Sequence, residues 1–273
     1  AGFSELGSTG QEAEAELVNA AGEMALLGPN CYGLINYHDK IALWPFAHGG
    51  AHPGFGAAII TQSGMLSSDL TMSQRHLPLS YMVSVGNQAS LRLEDFIDIF
   101  LEERHVRAIG LHIEAIHDTE KFASAAMRAI EKNIPIVALK TGVSEIGARL
   151  TTSHTGSLSG TDATYSAFFK RLGICRVATP SELVELLKFL TIAGVPTGPK
   201  IAGFTCSGGG ATMLADSAAP LELDFVQPSS HTATELSQLL PHTATVTNPL
   251  DYTTPIWGDY ERTLPVFKCL LKD

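Results

Sequence analysis

Short apolar runs rich in β-branched residues alternate with longer amphipathic stretches along the chain up to Pro196. Ala57–Thr61 (AAIIT), Leu79–Val85 (LSYMVSV), Ala108–Ile113 (AIGLHI) and Ile134–Leu139 (IPIVAL) predict strands. Gly64–Arg75, Leu93–Glu103 and Thr119–Lys132 between them predict helices. Continuous apolar strands separated by helices indicate a parallel sheet covered on both faces. Thr151–Gly160 (TTSHTGSLSG) breaks the rhythm, being small, polar and without period, and predicts a loop. Helices over Asp162–Leu172 and Ser181–Ala193 follow, with Ser181 as an N-cap. Val195-Pro-Thr-Gly-Pro199 has the composition of a linker. Beyond it the pattern restarts with a strand over Lys200–Thr205, a Gly-rich turn and a helix over Ala211–Ala218. The expected fold class is α/β, with two doubly wound parallel-sheet domains and a boundary near Pro196. The second is expected to be truncated, its sheet incomplete.

Composition narrows the function classes. The 273 residues are 45% hydrophobic and 17% charged, enough to bury a core. A net charge of −10 makes the chain a poor general binder of nucleic acid or anionic membrane. No apolar run approaches the ~20 residues of a membrane helix. Cys31, Cys175, Cys206 and Cys269 are scattered, without metal-ligand spacing, so reduced thiols in a cytoplasm are expected. No pattern supports zinc, calcium or a Walker site, and Gly-x-Ser-x-Gly is absent.

The candidate chemistry lies in turns. Thr61-Gln-Ser-Gly-Met65 ends a strand and opens a helix, whose first N–H groups have no internal partners and attract an anion. The alternative is an ordinary Ser-capped turn. Cys206-Ser-Gly-Gly-Gly-Ala211 is a second turn of this kind. Its glycines suit close approach of a ligand, or tight strand–helix packing. His154, in Ser153-His-Thr-Gly156, is either a solvated side chain or a nucleophile able to take a phosphoryl group and pass it on. Glu114, in His112-Ile-Glu-Ala115, closes a strand, where a carboxylate can fix a histidine tautomer or make a structural ion pair. Gly28-Pro-Asn-Cys-Tyr-Gly33, Ser84-Val-Gly-Asn87 and Asn248-Pro-Leu-Asp251 are turn-like peptides beside apolar runs.

Gly28-Pro-Asn-Cys31, Gln62-Ser-Gly64, Ser84-Val-Gly-Asn87, Ser153-His-Thr-Gly156, Ser207-Gly-Gly-Gly210 and Asn248-Pro-Leu-Asp251 stand in the order found in NDP-forming (ADP-forming) acyl-CoA synthetases, relatives of succinyl-CoA synthetase. The resemblance spans nearly the whole chain. It implies two flavodoxin-like domains, 30–195 with the phosphohistidine and 196–273 as a second, truncated CoA-ligase domain, after the tail of a CoA-binding Rossmann-like domain over 1–29. By the resemblance His154 is phosphorylated during turnover and Glu114 holds it. Gln62, Ser63, Gly64, Ser207, Gly208, Gly209 and Gly210 bind phosphate, and the turns at Ser63-Gly64 and Gly208-Gly209 converge on the phosphohistidine. Asn30, Gly86 and Asn87 bind CoA or acyl. The implied reaction joins a carboxylic acid to CoA through an acyl phosphate, converting a nucleoside triphosphate, ATP in the ADP-forming members, to its diphosphate. ATP and Mg2+ belong to an ATP-grasp domain or subunit that nothing here resembles, so the chain is expected to be inactive alone and to act within a homo- or hetero-oligomer. Two other readings remain: a non-catalytic CoA- or acyl-CoA-sensing regulatory module, in which His154 is expendable, and an acyl- or carbamoyl-transferring relative without phosphohistidine.

Overall fold

The computed structural model describes Phe3, residues 6–155 and residues 161–273, with backbone alone for 151–155. The chain divides into two compact units, Ala1–Val195 and Pro196–Asp273.

The first unit is a seven-stranded sheet in the order β2-β1-β4-β3-β5-β6-β7. β3 (Gly56–Thr61), β4 (Leu79–Ser84), β5 (Val106–Ile113), β6 (Ile136–Lys140) and β7 (Cys175–Val177) are parallel. Their order is that of a flavodoxin-like doubly wound sheet, with its switch point between β3 and β5. The sequence pattern missed the edge: β1 (Gly33–Asn36) pairs antiparallel with β4 and with β2 (Ile41–Leu43). These strands are short, and β2 is exposed on both faces, so no long apolar run announces them.

Every residue of β3, β4 and β6 is buried. Successive side chains of a strand point to opposite faces, and the cores divide accordingly. Ala58, Ile60, Val83, Ile109 and Leu111 face α3 (Leu93–Phe100), α4 (Thr119–Glu131) and α6 (Asp162–Arg171) through Phe96, Phe122 and Phe169. Ala57, Ile59, Met82, Val137 and Leu139 face α2 (Gly64–Thr71) and α7 (Pro180–Ala193) through Leu70, Leu183 and Leu187. α7 crosses β5 so closely that a Cβ on Gly110 would stand 2.5 Å from Leu187 Cδ1.

Two local expectations are corrected. The expected N-cap Ser181 lies inside α7, and Thr179 caps it, accepting from the Glu182 N–H at 3.2 Å. Pro180, lacking an N–H, takes the first helical position. The first half of the expected loop Thr151–Gly160 is helical backbone, the end of α5 (Glu145–Thr155). This helix starts on Ser144, whose Oγ accepts from the Gly147 N–H at 3.0 Å and whose carbonyl accepts from Ala148 at 2.8 Å. Once a helix is nucleated each further residue adds a hydrogen bond, which carries the weak helix formers Thr151–Thr155 along.

The second unit pairs β8 (Phe204–Thr205) in parallel with β9 (Leu250–Asp251), with a parallel bridge from Lys200 to Asp224. α8 (Gly208–Ala218), α9 (Ser230–Leu239) and α10 (Tyr260–Leu270) accompany them, around a core of Leu236, Leu250, Ile256 and Val266. Buried Asn248 does much of the sheet's work. Its Oδ1 accepts from the Gly203 N–H at 3.0 Å, and its Nδ2 donates to the carbonyls of Ile201 at 2.8 Å and Val226 at 2.9 Å. The Asn248-Pro-Leu-Asp251 peptide is therefore a structural clamp on two segments, around Ile201–Gly203 and Val226.

Leu187 is fully buried between α7 and β5. Leu187→Ala should cost about 2–5 kcal/mol of unfolding free energy, read as a lower denaturation midpoint at unchanged slope.

Candidate functional site

Crossovers leave β3 and β5 to opposite sides of the sheet, so their C-terminal ends frame a crevice. On the β3 side, the Thr61 hydroxyl accepts from the Ser63 N–H at 3.0 Å. Ser63 then caps α2, its Oγ accepting from Leu66 N–H at 3.3 Å. Gly64 follows because a Cβ there would stand 2.8 Å from the Tyr32 ring, which itself packs edge-on against Trp44 and Phe46.

On the β5 side lies Glu114, half-buried, one residue beyond the strand. Gln62, 6% exposed, ties the two sides together. Its Oε1 accepts from the N–H groups of Glu114 at 2.5 Å and Ala115 at 3.0 Å. Its Nε2 donates to the Ala115 carbonyl at 2.6 Å. The Tyr165 hydroxyl accepts from the Ile116 N–H at 3.2 Å. Lys140, at the end of β6, donates from Nζ to the carbonyls of Glu114 and Thr141.

Beneath this edge lies His112, 3% exposed. Its Nδ1 is 3.1 Å from Thr61 Oγ1 and its Nε2 is 3.0 Å from Thr141 Oγ1, so the ring joins the ends of β3, β5 and β6. Burial, aided by the nearby Lys140 ammonium, pushes its pKa down to about 4, and the ring is neutral near pH 7.

A second cluster joins the residues expected to bind CoA or acyl. Asn30 Nδ2 donates to Asn87 Oδ1 at 3.4 Å, and Asn87 Nδ2 donates to Glu14 Oε2 at 3.0 Å, on α1 (Ser8–Ala21). Gly86 has φ +54°, and a Cβ there would collide with the carbonyls of Pro29 and Asn30. The Asn87 N–H donates to Pro29 and that of Ala89 to Gly28, each at 2.9 Å. Glycine at 86 is a requirement of this loop-on-loop packing.

In the second unit the Gly-rich turn repeats the construction at Thr61. Thr205 Oγ1 accepts from the Ser207 N–H at 3.3 Å, and Ser207 Oγ caps α8, accepting from Gly210 N–H at 3.2 Å. The glycines lie inside the first helical turn, so the helix begins at Gly208 rather than at the expected Ala211. A Cβ on Gly210 would collide with Thr205 Oγ1, whereas one on Gly209 would meet nothing within 4 Å.

The structure thus brings Gln62, Ser63 and Gly64 together with Glu114, and Asn30 with Gly86 and Asn87. Ser207, Gly208, Gly209 and Gly210 form their own turn. His154 falls in the last turn of α5, its side chain outside the described residues, as is Gly156. Lys140, His112, Thr141 and Tyr165 were missed by sequence reasoning. One signal was available: a lysine closing the otherwise apolar run Ile136–Leu139. Among the described residues no group of three His, Cys, Asp or Glu could hold a metal ion, and no helix is long and apolar enough to cross a membrane.

A doubly wound α/β protein with a Ser-capped helix start and a carboxylate on the two sides of its switch point is the class defined so far. Comparison with known proteins sharpens it. Residues 55–190 match the model of the succinyl-CoA ligase like flavodoxin domain. The chain is 35% identical over 278 aligned positions to the acetate–CoA ligase [ADP-forming] II subunit alpha of Pyrococcus furiosus, covering 100% of this chain and 59% of that one. It is 34% identical to the acetate–CoA ligase [ADP-forming] of Methanocaldococcus jannaschii, covering 92% of this chain and 35% of that one. A solved dinucleotide-forming acetyl-coenzyme A synthetase 1 of Ca. Korarchaeum cryptofilum, in complex with phosphate and ADP, matches with TM-score 0.79 at 30% identity over 93% of this chain and 55% of that one. A Pyrococcus horikoshii OT3 structure matches with TM-score 0.84 at 28% identity, over 100% of this chain and 58% of that one. The chain belongs to the NDP-forming acyl-CoA synthetase family, through its succinyl-CoA ligase like flavodoxin domain. It spans between 35% and 59% of the length of these relatives.

The buried neutral His112 makes stability pH-dependent. Its folded pKa, about 4, lies below the ordinary 6.5. Its contribution is therefore complete above pH 6.5 and is lost as pH falls towards 4, by about 3 kcal/mol over the whole window. Denaturant titrations from pH 7 to pH 4 should show this loss, and His112→Asn should flatten it.

Proposed function

We propose that this chain is the phosphohistidine-bearing part of an ADP-forming acid–CoA ligase. The observation that carries the reading is the crevice at the β3/β5 switch point, with the Ser63-capped start of α2 on one side, Glu114 on the other, and Gln62 hydrogen-bonded across it. Such a crevice offers backbone donors and a helix N-terminus to a phosphate, and a carboxylate to orient an imidazole. The resemblance of Ser153-His-Thr-Gly156 to the family's motif makes His154 the expected imidazole.

In this reading a nitrogen of His154 takes the γ-phosphoryl of ATP, and ADP leaves. The phosphoryl then passes from His154 to a carboxylate oxygen of the acid, giving an acyl phosphate. The sulfur of CoA attacks the acyl carbon, and inorganic phosphate leaves. Splitting the transfer into two steps is the gain of covalent catalysis. Glu114 holds one ring nitrogen so that the other is the nucleophile. Phosphohistidine carries close to two negative charges, and the N–H groups at the Gly64 helix start are its expected donors. Asn30, Gly86 and Asn87 receive CoA or the acyl group. ATP and Mg2+ are held by an ATP-grasp domain on the same or a partner chain, and the enzyme is an oligomer. The alpha-subunit name of the Pyrococcus furiosus relative is in keeping with such a division.

The test is His154→Ala in the protein assembled with its ATP-grasp partner. Acid-dependent ATP turnover should fall to background and acid-labile labelling from γ-labelled ATP should disappear, while the circular dichroism spectrum is unchanged. Turnover at a substantial fraction of the parent rate would sink the phosphohistidine reading and leave a relative that uses the scaffold without phosphohistidine in its place.

A further inference from the structure

We propose that Lys140 is a positioning residue for Glu114, and through it for His154; this rests on the phosphohistidine reading above. Lys140 closes β6 after four apolar positions, Ile136, Val137, Ala138 and Leu139, and is itself only 5% exposed. Taking an ammonium out of water is costly unless it is well hydrogen-bonded, and an apolar residue would continue this strand at no such cost. The charge is therefore kept for what it holds. It donates to the Glu114 carbonyl at 2.8 Å and to the Thr141 carbonyl, and lies 4.6 Å from the centroid of the Tyr165 ring.

The peptide Glu114–Ile116 is a strap whose main chain is held by side chains from three elements. Gln62, just past β3, takes the N–H groups of Glu114 and Ala115 and the Ala115 carbonyl. Tyr165, on α6, takes the Ile116 N–H. Lys140, on β6, takes the Glu114 carbonyl. Gln62 tethers the peptide plane after Glu114 on its N–H side, through the Ala115 N–H. Lys140 holds its carbonyl side, so the plane cannot rotate and the Cα–Cβ bond of Glu114 keeps one direction. A carboxylate that fixes a tautomer needs this, because misplacement by about 1 Å can cost about a hundredfold in rate. The charged groups around the ammonium are Glu114, Asp162 and Arg176, with neutral His112 beneath. Burial lowers the Lys140 pKa, while Asp162 and Glu114 oppose that shift.

The experiment reads the His154 tautomer by long-range proton–nitrogen correlation spectra of the 15N-labelled full chain, its ring signals assigned by their loss in His154→Ala. The assembled enzyme is assayed in parallel. One tautomer should dominate in the parent chain. Lys140→Met should mix the tautomers and lower kcat by about ten- to a hundredfold, with the KM for ATP within about twofold of the parent. Glu114→Gln should do the same, and the double variant should be no worse than Glu114→Gln alone, since residues acting in series are non-additive. If Glu114→Gln moves the tautomer and Lys140→Met does not, or if the two losses in kcat multiply, the role of Lys140 is overturned and the phosphohistidine reading stands. If Glu114→Gln leaves the tautomer unchanged, the pairing of Glu114 with His154 fails, and this inference with it. Should Lys140→Met prove unfolded by circular dichroism, Lys140→Gln takes its place under the same criteria.

Discussion

Strands β3 and β6 are buried on both faces, as is β5 beyond the exposed Arg107 near its start, so the polar groups at their C-terminal ends must be satisfied along the line of those ends. This constraint organises the site. Thr61, His112 and Thr141 form a chain of side chains across that line, with the imidazole between two hydroxyls. Gln62 spends both ends of its amide on the neighbouring main chain, and Lys140 does the same with its ammonium. At the same edge stand the Ser63-capped helix start and the half-buried Glu114. A neutral His112 matters to this arrangement, because a second buried cation beside Lys140 would repel it.

The same rule explains why the residues expected to bind CoA or acyl are so densely packed. The peptide following Gly28 lies against the end of β4, and its carbonyls accept from Asn87 and Ala89. Gly86 is obligatory because its backbone takes φ +54° in contact with Pro29 and Asn30. The turn signal seen in the sequence was thus a packing demand, and the Asn30–Asn87–Glu14 line of side chains is its outcome. Any ligand there meets a prearranged loop, with little ordering left to be done on binding.

How much was legible in the chain follows from what each signal measures. The apolar runs located β3 to β6 within a residue or two, because parallel strands buried on both faces leave few polar positions to blur them. The helix ends were less legible: α2 stops at Thr71 and α3 at Phe100, since periodicity continues past the last hydrogen-bonded turn. Short elements were missed altogether. β1 and β2 are stabilised by pairing with β4 rather than by their own pattern. At the site, Ser63, Gly64, Gln62 and Glu114 were legible through turn chemistry and the family resemblance. His112, Lys140 and Tyr165 were not, because a role played across three strand ends leaves no spacing along one of them.

The two Ser-capped turns carry a further distinction. Both begin with a threonine whose hydroxyl accepts from the serine N–H two residues on, and in both the serine caps the helix. Their glycines differ in cause. Gly64 is explained by the Tyr32 ring and Gly210 by the Thr205 hydroxyl, so packing within each unit accounts for both. At Gly209 an added Cβ meets nothing within 4 Å, and at Gly208 only the Asp251 carboxylate at 3.7 Å, an ordinary contact. Alanine at those positions would favour the helix by up to about 1 kcal/mol each. Glycine there is a cost that the packing of the second unit does not offset. The gain it permits is steric: bare N–H groups at a helix start, with no side chain to hold off a tetrahedral anion. An anion bound this way needs no arginine or lysine beside the turn, so the phosphate-binding role proposed for it is compatible with a net charge of −10.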